Sequence, residues 1–126
     1  MEQMTREQLL AEFGAPGAEN PKVIDLITTD SASNSVVLVI SERRAWGASP
    51  LQFKQIEEKV NRYMGYALDG FLIQHHPEHA GRPVQIRLEC AEAPHGEAIK
   101  FVAAMEHALQ SYGLRLVLAV SSPEPR

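Results

Sequence analysis

The sequence contains a single cysteine, Cys90, so no disulfide bond can form within the chain. It has no apolar run near the ~20 residues that a membrane-spanning helix needs, and an apolar stretch such as Val36–Ile40 has only five residues. The segment Met1–Leu10 carries three charges where an export signal would have an apolar core. These absences predict a cytoplasmic protein that has no membrane partner.

The chain also has no excess of basic residues: it contains twelve Lys and Arg residues and sixteen Asp and Glu residues, which gives a net charge of -4. Covering a phosphate backbone needs the opposite balance, so we expect no nucleic-acid partner. The motifs GxSxG, GxxxxGK[ST] and GxGxxG do not occur. The usual scaffolds for serine acyl transfer, nucleoside triphosphate hydrolysis and dinucleotide binding are therefore lacking. We expect no cofactor and lean against an enzyme.

The 126 residues suffice for one hydrophobic core, and the 44% hydrophobic and 22% charged residues are typical of a folded domain. Composition divides the chain into an N-terminal helical arm and linker (1–20), a single α+β domain (21–120) and a mobile tail (121–126). In the arm, Thr5 as N-cap and a short apolar stripe predict an amphipathic helix over Met4–Phe13. Prolines and a glycine then predict a linker over Ala15–Pro21.

Two β-branched runs, Val23–Thr28 and Val36–Ser41, flank a short polar segment and predict a β-hairpin. The second run is apolar at five successive positions, where a strand with one wet face would alternate. We therefore expect this strand to run through the middle of the fold, with apolar cover on both faces.

A long helix is predicted from about Pro50 to Asp69, because Ser49 as N-cap and Gln52 three residues later form the pattern of a capping box. Hydrophobic periodicity predicts three more elements: a strand at Val84–Cys90, a helix at Ala98–Tyr112 and a strand at Leu114–Val120.

This order of elements predicts a two-layer α+β sandwich with a four-stranded mixed sheet, strand order 1-2-3-4 and connectivity ββαβαβ. Helical crossovers join parallel strands and turn right-handed, which puts both long helices on one face and leaves strand 1 antiparallel. The short N-terminal helix is additional to this sandwich. The other face of the sheet is open, and its apolar part needs cover from that helix or from a second subunit.

Four segments carry a resemblance to a known family: VIDLITTDSASNSVVLVISERRAW, YALDG, HPEHAGRPVQIRLE and LQSYGLRLVL. From about Pro21 to Leu118 the chain resembles a family of small uncharacterised bacterial proteins classed as a domain of unknown function. The shared features are the pattern of strand and helix boundaries and a few polar positions, Asp25, Trp46 and Arg82 among them. The resemblance implies the fold, and the family offers no activity to carry over.

Polar residues collect after the three parallel strands, at the carboxyl edge where open α/β sheets bind ligands and helix N-termini point. Two arginines beside these helix ends could hold a small anion, with the tryptophan as a stacking wall. The candidate ligand-binding residues are Arg43, Arg44, Trp46, Ser49 and His95. The alternative interpretation is a solvated arginine pair, with Trp46 as a plug over the core.

The polar loop Gln74–Arg82 contains three histidines, His75, His76 and His79, within a stretch of five residues. Convergent imidazoles bind zinc or nickel, but Pro77 breaks the helix that would bring His75 and His79 onto one face. We therefore predict no metal site and interpret the segment as an exposed loop, with the three histidines as weak metal candidates.

Cys90 falls on the apolar face of its strand, and we expect a buried, inert thiol. Asp25 is the one charge that interrupts an apolar strand. Because an unpaired buried carboxylate is costly, Asp25 should face solvent, pair with a cation or accept backbone donors. Arg87 is a possible partner, and a structural pair is favoured over a catalytic acid.

The sequence supports two functional hypotheses of different classes. The first is a non-enzymatic interaction module that forms a homodimer or binds another protein through its sheet surface or an exposed edge strand. It rests on the apolar second strand, the absence of catalytic motifs and the unpaired stripe of the arm. The second is a binder of small anions or metabolites, with enzymatic activity left open, at the carboxyl edge of the parallel strands.

Overall fold

The computed structural model describes residues 17–20 and 23–121, which form one sheet and three helices. The strands are β1 (Leu26–Asp30), β2 (Ser35–Glu42), β3 (Val84–Cys90) and β4 (Arg115–Val120). The helices are α1 (Gln52–Leu68), α2 (Phe71–His75) and α3 (Glu97–Gln110), and a 3-10 turn spans Pro77–His79. The predicted N-terminal helix and the tail after position 121 lie outside the described residues. In the described part of the chain, no helix is long and apolar enough to cross a bilayer.

The sheet has the predicted order β1-β2-β3-β4 and is mixed. β1 pairs antiparallel with β2, whereas β3 runs parallel to both β2 and β4. The turn between β1 and β2 is held by Asp30, whose carboxylate accepts hydrogen bonds from the Ala32 amide at 3.2 Å and the Ser33 hydroxyl at 2.8 Å. Asn34 follows with a φ of 56°, a left-handed conformation that asparagine tolerates.

β2 lies in the middle of the sheet, and every residue from Ser35 to Ile40 is buried. Val36 and Ile40 face the helices and belong to the main core. Side chains alternate along a strand, so Val37 and Val39 point to the opposite face, yet they are only 0% and 3% exposed. The continuous apolar run therefore reflects burial on both faces of a central strand, as predicted.

Both long helices pack on one face of the sheet, because side chains of α1 and α3 share one core cluster with that face of β2, β3 and β4. Phe53 of α1 stacks on Phe101 of α3, with the ring centroids 4.5 Å apart and the planes at 7°. Such stacked pairs add to the free energy of burial. The predicted two-layer α+β architecture is confirmed.

The start of α1 differs in part from the predicted capping box. The Ser49 hydroxyl accepts a hydrogen bond from the Leu51 amide at 3.1 Å, as a capping residue does. Gln52, however, is buried and does not reach back to Ser49. Its side chain accepts a hydrogen bond from the Gly47 amide at 2.7 Å and donates one to the Ala45 carbonyl at 3.1 Å. Gln52 thus closes the loop between β2 and α1 instead of capping the helix.

Two short elements, α2 and the 3-10 turn, follow the end of α1 and occupy part of the predicted polar loop. Gly70 has a φ of 90°, which lets the chain turn sharply between α1 and α2. Within α2 only Leu72 is buried. One buried residue in five gives no hydrophobic periodicity, so the sequence alone does not predict this helix.

Candidate functional site

The structure distributes the candidate ligand-binding residues over different contacts at the carboxyl edge. Arg43 is exposed and lines a polar pocket of about 60 Å³ whose other walls include Ser41, Glu89 and Ser121. Arg44, the next residue, turns toward the interior. These two arginines therefore do not act as a pair on one ligand.

Arg44 is held by a buried carboxylate. Its Nε and Nη2 atoms each donate to an oxygen of Glu42 at 2.8 Å, and its Nη1 atom donates to Gln55 Oε1 at 2.8 Å. Glu42 is 1% exposed, and the forked guanidinium contact offsets the cost of burying that charge. The hydrogen bond to Glu42 raises the pKa of Arg44. Most of the guanidinium donors are therefore already used within the fold.

Trp46 takes the position of a plug over the core. It is 6% exposed and packs beside Phe53, with the ring centroids 6.3 Å apart. The Trp46 amide donates to Glu92 Oε1 at 2.8 Å, and the indole Nε1–H donates to the Glu92 carbonyl at 3.0 Å. The bond from the Trp46 amide holds the pKa of the Glu92 carboxyl below its usual range.

An open cleft of about 170 Å³ lies next to Trp46 at the start of α3. Its lining residues are Trp46, Gly47, Phe53, His95, Gly96, Glu97 and Ala98. The exposed His95 ring places Nε2 at 3.3 Å from Glu92 Oε1. Ser49 is not among the lining residues, and its hydroxyl accepts a hydrogen bond from the Leu51 amide just before α1. Apolar walls beside two carboxylates, Glu92 and Glu97, are poorly suited to an anion.

A buried ion pair connects the chain before β1 to α1. Asp25 Oδ1 accepts a hydrogen bond from Lys59 Nζ at 2.6 Å, and the two side chains are 4% and 0% exposed. The amides of Gly17 and Ser41 donate to the same carboxylate, each at 2.8 Å. Lys59 Nζ also donates to the Gly17 carbonyl. The partner of Asp25 is thus Lys59, and the suggested Arg87 partner is wrong because Arg87 lies on the opposite face of the sheet.

Tyr63 completes this polar cluster. Its hydroxyl donates to the Val39 carbonyl at 2.7 Å and accepts from the Asp25 amide at 2.9 Å. Burial raises the pKa of Tyr63 well above its ordinary value. The Ala18 amide donates to the Ser41 carbonyl at 2.9 Å. Residues 17–20, which composition assigns to the linker, are therefore tied to the sheet.

The sequence did not single out Lys59 as a member of any site. The available signal is its position on α1, where it lies within the buried stripe formed by Ile56, Val60 and Tyr63. A lysine at a core-facing helical position is rare unless it is paired, so this pattern together with Asp25 predicts a buried partner. The partner's identity needs the packing of α1 on the sheet.

The histidines of the segment 75–79 make separate contacts. His75 Nδ1 lies 3.1 Å from the Tyr66 hydroxyl, whereas His76 and His79 flank Glu78 at 3.7 Å and 3.9 Å. Across residues 17–20 and 23–121, no group of three or more His, Cys, Asp or Glu side chains is arranged to hold a metal ion.

Cys90 is 1% exposed, which confirms the predicted buried thiol. Burial, with the nearby Glu42 carboxylate as a smaller cause, raises the pKa of Cys90 to about 12. The reactive thiolate is therefore essentially absent at neutral pH, and the geometry gives no support to nucleophilic catalysis by this residue.

β4 forms one edge of the sheet, and among residues 17–20 and 23–121 it pairs with β3 alone. From Leu116 to Val120 the strand is uncharged. On the helix face, Leu118 and Val120 are 39% and 45% exposed, and Ile99 in the first turn of α3 is 58% exposed. We define the β4 edge surface as the free side of this strand together with Ile99, Leu118 and Val120.

Ile99 lies on the flank of α3 that borders this edge. Phe101 marks the opposite flank, toward α1, because it stacks on Phe53. Successive residues of a helix are rotated by about 100°, so two positions place Ile99 about 160° from Phe101 around the axis. The exposed apolar side chains of α3 and β4 therefore adjoin the same open side of the molecule.

Comparison with known proteins gives one match. Residues 17–122 match the model of a family described as a family of unknown function, DUF6572. No curated protein and no solved structure matches the chain. The matched region begins at Gly17, the residue that hydrogen-bonds to Asp25 and Lys59.

Proposed function

The chain belongs to this family of unknown function, and we propose that it is a non-enzymatic protein-interaction module that acts through the β4 edge surface. The observation that carries the proposal is a strand edge that no other described strand pairs with, together with exposed leucine, valine and isoleucine side chains beside it. Proteins usually protect such edges with charges, prolines or a covering element. An uncharged edge that is left open is a template for another strand.

The opposite edge of the sheet is built differently. β1 ends at Asp30, whose charged side chain is folded into the hairpin turn. At the other end of β1, the Ser41 amide of β2 donates to the Asp25 carboxylate and the Ser41 carbonyl accepts from the Ala18 amide. These hydrogen bonds meet the part of β2 that extends beyond β1, and Asp30 places a charge at the end of β1, whereas β4 carries no charge from Leu116 to Val120.

The proposal places the module in the cytoplasm, because its one thiol is buried and no disulfide supports the fold. Its partner is a protein rather than a nucleic acid, since the net charge of -4 is unfavourable for phosphate binding. Homodimerisation or the binding of another protein's strand would both use the same edge.

A test measures whether the edge accepts a strand. Size-exclusion chromatography with light scattering, at tens of micromolar, should give a mass above the 14.0 kDa of one chain. A synthetic peptide of residues 114–121 in excess should slow hydrogen exchange at the β4 amides. A mass of 14.0 kDa combined with unchanged amide exchange would contradict the proposal.

The competing proposal, a small-anion or metabolite site at the carboxyl edge, has weaker support. Arg44 is committed to Glu42 and Gln55, the Ser49 hydroxyl accepts a hydrogen bond from the Leu51 amide, and Trp46 is held by Glu92. A thermal-shift screen with phosphorylated and carboxylated metabolites discriminates the two proposals. A stabilising shift that Arg43→Ala abolishes would favour the anion site, and an unresponsive protein would favour the interaction module.

A further inference from the structure

Backbone alternation fixes which groups of β4 are free. The Ser121 amide donates to the Cys90 carbonyl, so position 121 directs its backbone toward β3. Successive residues of a strand direct these groups to opposite sides. Leu116, Leu118 and Val120 therefore present their N–H and C=O groups at the open edge, and their side chains all lie on the helix face.

We propose that the partner of this edge is a second copy of the chain, whose β4 pairs antiparallel with the first and places Leu118 opposite Leu118 on a two-fold axis. This inference rests on the proposed function and specifies its partner. In this register the outward-facing residues meet each other, since Leu116 lies opposite Val120. Each such pair exchanges two backbone hydrogen bonds.

The sequence of β4 is self-complementary in this register. Val117 lies opposite Ala119 on one face of the sheet. On the other face, Leu118 lies opposite Leu118 and Leu116 lies opposite Val120. Arg115, the one charged residue of the strand, lies opposite the uncharged Ser121. Self-pairing therefore brings no like charges directly across the axis, an arrangement that would be destabilising.

The axis is perpendicular to the sheet, because opposed residues of an antiparallel pair project to the same face. The two four-stranded sheets then form one sheet, with the long helices of both copies on the same side. Ile99 and Val120 of each copy adjoin the helix α3 of the other. The exposed apolar surface of both copies is buried in one continuous strip.

The size of the contact determines the strength that we expect. Six strand residues span about 20 Å, and the 14 residues of α3 span about 21 Å. With sheet and helix layers together about 20 Å thick, the contact covers roughly 400 Å² on each copy, or about 800 Å² in total before interdigitation. This is below the roughly 1,200–2,000 Å² of stable specific interfaces and fits a weak, reversible dimer in the micromolar range.

The decisive experiment places a cysteine on the axis. In a hydrogen-bonded antiparallel pair the Cα atoms are about 5.5 Å apart, which suits a disulfide. Leu118→Cys should therefore form a covalent dimer under mild oxidation at tens of micromolar, without change of the apparent mass under native conditions. Arg115→Cys is the control, because the two copies of position 115 are six residues out of register, about 20 Å along the strands, and the neighbouring residue on β3 is Gln85.

A charge on the axis gives an independent readout. Leu118→Lys brings two ammonium groups opposite each other, so the dimer should dissociate at least tenfold more readily. Leu26→Lys is the matched control at the β1 edge, where Leu26 is 53% exposed, and it should leave the dimer unchanged. Circular dichroism checks that each variant is folded.

The outcomes separate the two levels of the inference. A wild-type dimer that Leu118→Cys does not cross-link, or that Leu118→Lys leaves intact, overturns the two-fold pairing and leaves an interaction module with another contact. A monomer whose β4 amides are protected by the strand peptide also overturns self-pairing, and assigns the edge to a strand of another protein. A monomer without such protection removes the proposed function as well.

Discussion

Replacing Lys59 by methionine should lower the free energy of unfolding by about 3–5 kcal/mol, because it leaves the Asp25 carboxylate buried without its cation. The two side chains are 0% and 4% exposed and meet at 2.6 Å. Methionine retains most of the side-chain volume, so loss of packing contributes little. Within the described part of the chain, the carboxylate then keeps the amide donors of Gly17 and Ser41 alone.

The expected change is a large part of the total stability, which for a domain of this size is about 5–15 kcal/mol. With a urea dependence of about 2 kcal/mol per molar, the midpoint of unfolding should fall by about 2 M. Urea titration followed by the fluorescence of Trp46, the single tryptophan, measures this midpoint. Hydrogen exchange at the Ala18 amide should also accelerate, since Lys59 holds the neighbouring Gly17 carbonyl.

Lys54→Met is the matched control, because Lys54 is exposed on the same helix. That substitution should change the free energy of unfolding by no more than about 0.5 kcal/mol. Combining Lys59→Met with Asp25→Asn removes both charges and should recover part of the lost stability. The reasoning fails if Lys59→Met and Lys54→Met shift the urea midpoint equally.

Three further predictions concern the carboxyl edge. The pKa of Glu92 is lowered mainly by the Trp46 amide, so its stabilising effect is present above a pH of about 4.3 and is lost as the pH falls through the folded pKa. Wild type and Glu92→Gln should therefore differ in unfolding temperature at pH 7 and converge once the pH falls below the folded pKa. Cys90, with a pKa of about 12, should resist thiol reagents at pH 8 in the native protein and react after addition of urea. Arg44→Met should destabilise the protein by about 3–5 kcal/mol in a urea titration, whereas Arg43→Met should stay within about 0.5 kcal/mol.

The topology could be predicted because each connection in this chain leaves few alternatives. Long amphipathic helices between apolar runs impose right-handed parallel crossovers, and the uninterrupted run Val36–Ile40 identifies the central strand. Strand β3 was predicted with its observed bounds because its alternation is strict. The bounds of β1 shift by two to three residues, since Asp25 leaves the ladder to bind side-chain and backbone groups.

The polar contacts could not be predicted in the same way. Arg43 and Arg44 are adjacent and chemically identical, yet the second folds back on Glu42 while the first stays exposed. Periodicity does not distinguish them, because both follow the end of β2 where the chain leaves the regular pleat. The same limit applies to Gln52, whose pattern fits a capping box and whose side chain instead closes the preceding loop.

Backbone hydrogen bonding differs between two parts of the sheet: the end of β2 that extends beyond β1, and the outer side of β4. Beyond the start of β1, the Ser41 amide and carbonyl would have no strand partner, and Asp25 and Ala18 meet them instead. That solution buries a carboxylate and therefore requires the buried Lys59. At β4, no residue within 17–20 or 23–121 meets the outward groups of Leu116, Leu118 and Val120. Backbone groups beside apolar side chains are costly to leave unpaired once a partner shields them from water. Association at β4 is therefore favoured only with a partner that supplies a strand, and β4 itself is such a strand.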